Sequence, residues 1–224
     1  MTDLPDFRKP DRYKASSYRS YNFKMPACYD TAIWSRGAPR IDQLILEQLG
    51  PAIGSLRILD VGCGTGRLLK SLADAGATHL FGADLAPRIL EVAAAKLAKT
   101  AINAELRVTD AEDRLPWDDE CFDVVTLIGV IHHFFRPKDA LSEIRRVLRH
   151  GGRLLVFDAC IFPAVRQIVN AVLRVYPHDG DYRFYSVKAA GRLLAELGFE
   201  IRIVQKGWGC YLVEGVKSKK QSCN

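Results

Sequence analysis

Apolar residues follow two alternating periods along this chain. Ile41, Leu44, Ile45, Leu46 and Leu49 recur at helical spacing between Pro39 and Leu49, and Gly50-Pro51 stops that segment. Short β-branched runs then alternate with amphipathic stretches. "LRILDV" precedes a helix at about 65–75, "HLFGAD" precedes one from Pro87 to about Lys99, and "AELRVTD" and "FDVVTLIGV" follow. A helix at 138–149 carries Ala140, Leu141, Ile144, Val147 and Leu148 as one stripe, and a "HGG" stop leads into "RLLVFDA". Strands separated by crossover helices form a parallel sheet, here of five strands. Beyond it, "FPAVRQIVNAVLRVY" places Phe162, Val165, Ile168, Val169, Val172, Leu173 and Tyr176 on one side of a helix, and the polar "PHDGDYRFY" follows. That pair of segments is expected to be an inserted lid over 161–185. Ser186 caps a last helix through Leu197, Gly198 ends it, and "FEIRIVQ" and "CYLVEGV" close the chain as a hairpin.

The expected organisation is an N-terminal arm over 1–30, a main domain over 31–217 and a basic tail over 218–224. The arm shows no clear period, so it orders only by packing aromatics such as Tyr13, Tyr18, Tyr21 and Tyr29 on the rest. At 224 residues and 48% apolar content the chain suits one soluble core. Its longest apolar run, "VVTLIGVI", is too short to span a bilayer, and the first residues do not resemble a signal peptide, so a cytoplasmic protein is expected. The cysteines at 28, 63, 121, 160, 210 and 223 show neither a zinc spacing nor a disulfide framework and are read as reduced thiols, mostly in the core. A net charge of +6 is spread thinly, which favours a solvated basic surface over a nucleic-acid site.

The chemistry starts at "ILDVGCGTGRLL". A strand ending in Asp60-Val61-Gly62-Cys63-Gly64-Thr65-Gly66 and running into a helix brings bare backbone close to a ligand. A dinucleotide fingerprint needs a glycine where this chain has Arg67 or Leu69, which argues against a pyrophosphate. Asp84, 18 residues after Gly66, ends the second strand and can accept both hydroxyls of a ribose. Asp110 ends the third and can accept from an adenine amine.

With "LDVGCGTG", "GADLAP", "DAEDRLPW", "FDVVTLIGVIHHF" and "LSEIRRVLRHGGRLLVFD" in this order, the chain resembles class I S-adenosylmethionine-dependent methyltransferases. The likeness is to the small-molecule branch that includes ubiquinone and menaquinone biosynthesis enzymes, and it covers residues 40–215. It implies a Rossmann-like, doubly wound α/β sheet of seven strands, mostly parallel with the last antiparallel, and helices on both faces. It also implies S-adenosylmethionine as cofactor, released as S-adenosylhomocysteine. The methionine part would lie over Asp60, Gly62 and Gly64 within the loop that includes Cys63 and Gly66. The ribose would lie on Asp84, the adenine between Leu85 and the Asp110-Ala111 turn, and Ile128, Gly129 and Val130 would line the methionyl side.

Methyl transfer from a sulfonium is an in-line displacement that requires placement more than a metal, so no metal is expected. His132 and His133 follow the fourth strand, where an imidazole can take a proton from a hydroxyl nucleophile, though histidines at this point in the branch often only pack beside the cofactor. Asp158 ends the fifth strand and either orients an acceptor or ties down the next loop. Tyr29, Trp34, His133, Tyr182 and Tyr185 are the candidate acceptor contacts. The expected acceptor is a small molecule methylated on O, N or C, by a monomer or homodimer. "IGVIHHFF" in place of an Asn/Asp-Pro-Pro-aromatic turn disfavours a nucleic-acid base, while RNA, a protein acceptor and a cofactor-binding module without turnover stay as alternatives.

Overall fold

In a computed structural model the described residues are 12–26, 30, 38–176, 178, 180–206 and 209–218; the side chains of 12, 38 and 203–206 are not described. Seven strands form one sheet in the order β3-β2-β1-β4-β5-β7-β6. The strands are β1 (Arg57–Val61), β2 (His79–Asp84), β3 (Glu105–Val108), β4 (Phe122–Ile128), β5 (Leu148–Cys160), β6 (Phe199–Lys206) and β7 (Gly209–Lys217). The first five pair in parallel, while β7 runs antiparallel to both β5 and β6, as the two expected closing strands require.

Consecutive apolar residues explain how the sheet buries both faces. Ile58, Leu80, Val124, Leu155 and Leu212 face a core shared with α2 (Ala38–Leu49), α3 (Arg67–Asp74) and α4 (Pro87–Leu97). Their neighbours Leu59, Phe81, Val125, Leu154 and Val213 face a second core shared with α5 (Pro137–Val147) and α7 (Val187–Glu196). The Ser186 hydroxyl accepts from Ala189 N–H at 3.2 Å and starts α7, as its position suggests.

The helix expected over 138–149 ends two residues early, because Leu148 already pairs with Phe122 as the start of β5. The "HGG" stretch is not a stop but part of that strand; a Cβ on Gly152 would lie 2.8 Å from the Arg149 carbonyl, so the irregular turn admits only glycine. The arm departs more from expectation. Residues Arg12–Arg19 form a helix, α1, and Ser20–Lys24 continue it as a wider π-helical turn. Tyr13 supplies the aromatic anchor, packing at 4.9 Å on Tyr182 and 5.7 Å on Phe135. Among the described cysteines only Cys63 is buried; Cys121, Cys160 and Cys210 are half-buried free thiols. No helix of the described residues is long and apolar enough to cross a membrane.

A candidate cofactor and methyl-transfer site

The carboxyl ends of β1, β2 and β4 open onto one cavity of about 110 Å³. Gly62, Gly64, Asp84, Leu85, Asp110, Ala111, Ile128, Gly129 and Val130 line it, so nine of the twelve residues expected around the cofactor converge there. A ligand at this edge is what parallel sheets of this kind favour.

The glycines are there for backbone geometry. Gly62 has φ +71° and a Cβ on it would sit 2.4 Å from Val130 Cγ2, while Gly129 has φ +69° with open space beside it. The other three expected residues stand behind the wall. Asp60 is buried with one carboxylate oxygen accepting from the Thr126 hydroxyl at 2.7 Å. Burial pushes its carboxyl up to about 7, against the opposing pull of that hydroxyl. Cys63 packs under Gly82, and Gly66 packs on Ala93 of α4.

Asp84 accepts the Gly64 N–H at 2.9 Å and the Ala86 N–H at 3.0 Å, so it shapes the loop as well as facing the cavity. Burial raises its carboxyl, and those N–H groups oppose the rise. Asp110 is joined by Glu112 and by Lys14 of α1, whose ammonium lies 2.5 Å from Asp110 and 3.1 Å from Glu112. Despite burial, the two carboxylates raise the Lys14 ammonium above its ordinary value. Asp30 ties the arm to the glycine loop, accepting from the Thr65 hydroxyl at 2.6 Å and the Lys96 ammonium at 2.6 Å.

Lys14, Ser17, Tyr21, Thr109, Glu112 and Phe134 also line the cavity, and sequence reasoning missed them. The arm residues Lys14, Ser17 and Tyr21 fall at helical spacing along α1 and the turn that continues it, a period too short to be read from the arm's mixed composition. Tyr29 and Trp34 lie outside the described residues.

His132 and His133 occupy a 3-10 turn, Ile131–His133, beyond β4. His132 Nδ1 is 2.8 Å from both carboxylate oxygens of Asp158, which lies two residues before the end of β5 rather than at it and is itself buried. Its Nε2 is 3.5 Å from Asp181 Oδ1. Burial alone would lower this imidazole, but Asp158 and then Asp181 outweigh it and push it up to about 10, so His132 is an imidazolium at neutral pH. His133 lies beside it with ring centroids 4.1 Å apart. Burial and the His132 charge push His133 down to about 4, leaving it neutral. The Tyr21 hydroxyl is 3.3 Å from His133 Nε2, and Asp181 Oδ1 is 3.3 Å from His133 Nδ1. His133 lines the cavity and His132 does not. The ligand atoms of His132, His133 and Asp181 all lie within 4.8 Å of one another. Tyr182 and Tyr185 stand outside the cavity; Tyr182 N–H donates to the His132 carbonyl at 2.8 Å, and Tyr185 is buried beneath Arg183.

The donor and acceptor inventory selects the ligand. Three carboxylates line the cavity against one ammonium, that of Lys14, so the balance offers acceptors to hydroxyl and amine donors and disfavours a pyrophosphate. An adenosine with free ribose hydroxyls and an amino-acid end fits these residues.

A family model described as a methyltransferase domain matches residues 59–156. The chain is 36% identical over 138 residues to Probable tRNA methyltransferase 9B of Bos taurus, covering 60% of this chain and 27% of that protein. It is 31% identical over 171 residues to a demethylmenaquinone methyltransferase of Tropheryma whipplei (strain Twist), covering 76% of this chain and 65% of that one. The chain thus spans between a quarter and two thirds of the length of these relatives. The crystal structure of magnesium protoporphyrin IX methyltransferase from Synechocystis PCC 6803 with bound SAH superposes with a TM-score of 0.72 at 18% identity, over 92% of this chain and 100% of that one, which establishes the fold.

Proposed function

We propose that this chain, a member of the class I S-adenosylmethionine-dependent methyltransferases, transfers a methyl group to a small-molecule acceptor. The observation that carries the reading is the cavity that the glycine loop opens beside Asp84, Asp110 and Glu112, with a neutral imidazole on its wall. S-adenosylmethionine bound there supplies a methyl group on a positively charged sulfur. Asp84 accepts from the ribose hydroxyls, Asp110 and Glu112 accept from the adenine side, and Gly62, Gly64 and Gly129 let the backbone approach the amino-acid end.

His133 is the residue to take a proton from an acceptor hydroxyl. Its Nε2 faces the Tyr21 hydroxyl at 3.3 Å, which is at hand as relay, while Asp181 Oδ1 stands 3.3 Å from Nδ1 without a hydrogen bond to it. Asp158 and Asp181 hold His132 charged, and that charge keeps His133 unprotonated across the physiological range.

Two relatives support different acceptors, since one is named for demethylmenaquinone and one for tRNA. The apolar side chains on the cavity wall, Leu85, Ile128, Val130 and Phe134, and the thinly spread basic charge favour the small molecule. The test begins with calorimetric titration of S-adenosylhomocysteine beside NADH. Micromolar binding of the first alone supports the cofactor, and NADH binding instead sinks the reading. Labelled methyl transfer is then measured to a reduced isoprenoid quinone precursor and to bulk tRNA. Incorporation into tRNA alone would replace the small-molecule acceptor, and tight cofactor binding without transfer to any acceptor would favour a binding module. His133→Gln should lower kcat at least a hundredfold while leaving S-adenosylhomocysteine affinity unchanged.

A further inference from the structure

Six of the eight large hydrophobic side chains exposed among the described residues belong to one short segment. Phe162, Val165, Ile168, Val172, Val175 and Tyr176 are 51–72% exposed; the first five recur in steps of three and four along and just before α6 (Pro163–Val175), Tyr176 follows its end, and at helical pitch all six share one face. Only Leu173 of the helix is buried. Six large apolar side chains, each more than half exposed on one face, contrast with the singly scattered surface hydrophobics of an ordinary soluble monomer. Thirteen residues of helix measure about 20 Å, too short to cross a bilayer and suited to lying along one.

Among the described residues that line the groove beside this face, the charge is basic. From Phe162 to Tyr176 the only charged residues are Arg166 and Arg174. Both line a groove of about 400 Å³ together with Arg183, and among the described residues no carboxylate lines it. The groove is built rather than incidental. Asn170 of α6 clamps the opposite wall, its amide donating to the Phe184 carbonyl at 3.0 Å and its oxygen accepting the Phe184 N–H at 2.9 Å. Arg183 is held over the Tyr185 ring at 5.3 Å. A second copy of the chain docked through the same face would set these arginines against their like, whereas anionic headgroups complement them.

We infer that α6 is an interfacial helix that seats the protein on an anionic lipid surface, its apolar face in the acyl boundary and the arginine groove on lipid phosphates. The docking face connects to the candidate site through α1. The Tyr13 hydroxyl donates to the Leu173 and Arg174 carbonyls of α6 at 3.2 and 3.1 Å, and the adjacent Lys14 lines the cavity. The inference stands whether or not the methyl-transfer reading does, because it concerns a different surface.

The experiment is co-sedimentation of the full chain with phosphatidylcholine vesicles, with and without about one third phosphatidylglycerol. Wild type should partition at least tenfold more strongly onto the anionic vesicles, and added salt should weaken this. Ile168→Glu and Val172→Glu, both on the exposed face, should each reduce partitioning at least tenfold. Arg166→Gln with Arg183→Gln should erase the preference for anionic lipid. Retained S-adenosylhomocysteine affinity, or an unchanged circular dichroism spectrum should that ligand not bind, certifies that each variant is folded. Absence of vesicle binding by wild type, or binding that Ile168→Glu leaves intact, overturns the proposal. So does a dimer in analytical ultracentrifugation that Ile168→Glu dissociates, since the face would then belong to a second copy.

Discussion

Replacing Asp158 by Asn tests the charge arrangement around the histidines with little change of shape. Asp158 lies 2.8 Å from His132 Nδ1, accepts the Ala159 N–H at 2.6 Å, and is buried. The folded protein holds His132 at about 10 against an ordinary 6.5, so the pair stabilises the fold fully below pH 6.5 and loses that contribution as pH rises through about 10. A shift of that size corresponds to at most ~5 kcal/mol, and removing one partner of a buried pair costs about 3–5. Asp181 at 3.5 Å from His132 Nε2 retains part of it, so Asp158→Asn should destabilise by about 3 kcal/mol at pH 6. Urea unfolding of both proteins from pH 6 to pH 10 measures the difference, which should shrink towards the alkaline end. Imidazole NMR titration of the same pair should show His132 falling towards its ordinary value. A stability difference that stays flat across this range, or a wild-type His132 that titrates near 6.5, would refute the reasoning.

Asp84→Ala should weaken S-adenosylhomocysteine binding by about 1.5–3 kcal/mol, read by calorimetry, because two hydroxyls lose a charged acceptor and the Gly64 and Ala86 N–H groups lose theirs. Unchanged affinity would remove Asp84 from the site. Gly62→Ala should cost about 3 kcal/mol in thermal or urea unfolding, since the new Cβ meets Val130 Cγ2 at 2.4 Å and φ stays at +71°. Adding Val130→Ala should relieve the contact but not the backbone strain. Lys14→Ala leaves Asp110 and Glu112 without the ammonium that bridges them, so trypsin should cut at Arg19 faster and S-adenosylhomocysteine affinity should fall by about 1 kcal/mol. Equal cleavage rates would show that the ion pair does not hold α1 closed.

What could be read from the sequence was whatever local pattern controls. Strand alternation such as Ile58 against Leu59 and Leu80 against Phe81 specifies a sheet buried on both faces, and the glycine loop with its trailing carboxylates specifies a ligand at one edge. Nine expected cofactor residues share one cavity because each sits at a strand end, and strand ends of a parallel sheet converge whatever the intervening helices are. Asp60 stands behind the wall for the same reason. It is the last but one residue of β1, where the pleat turns its carboxylate to Thr126 on β4 rather than to the opening. What could not be read was set by contacts distant in sequence. Lys14 meets Asp110 across 96 residues, and no periodicity announces that pairing. His132 differs from His133 by one position, yet one is charged and the other neutral, because only His132 meets Asp158 from β5. The α6 stripe is the sharpest case. A run of Val165, Ile168 and Val172 at helical spacing predicts that an apolar face exists, and the natural expectation is that it covers the pocket as a lid. The fold instead buries Leu173 and turns the stripe outward, which amphipathicity alone permits equally well. A helix pattern fixes which residues share a face, while what that face meets depends on the rest of the molecule and on its surroundings. The arginine groove beside the stripe supplies the missing term, because it gives the outward face a partner of definite charge.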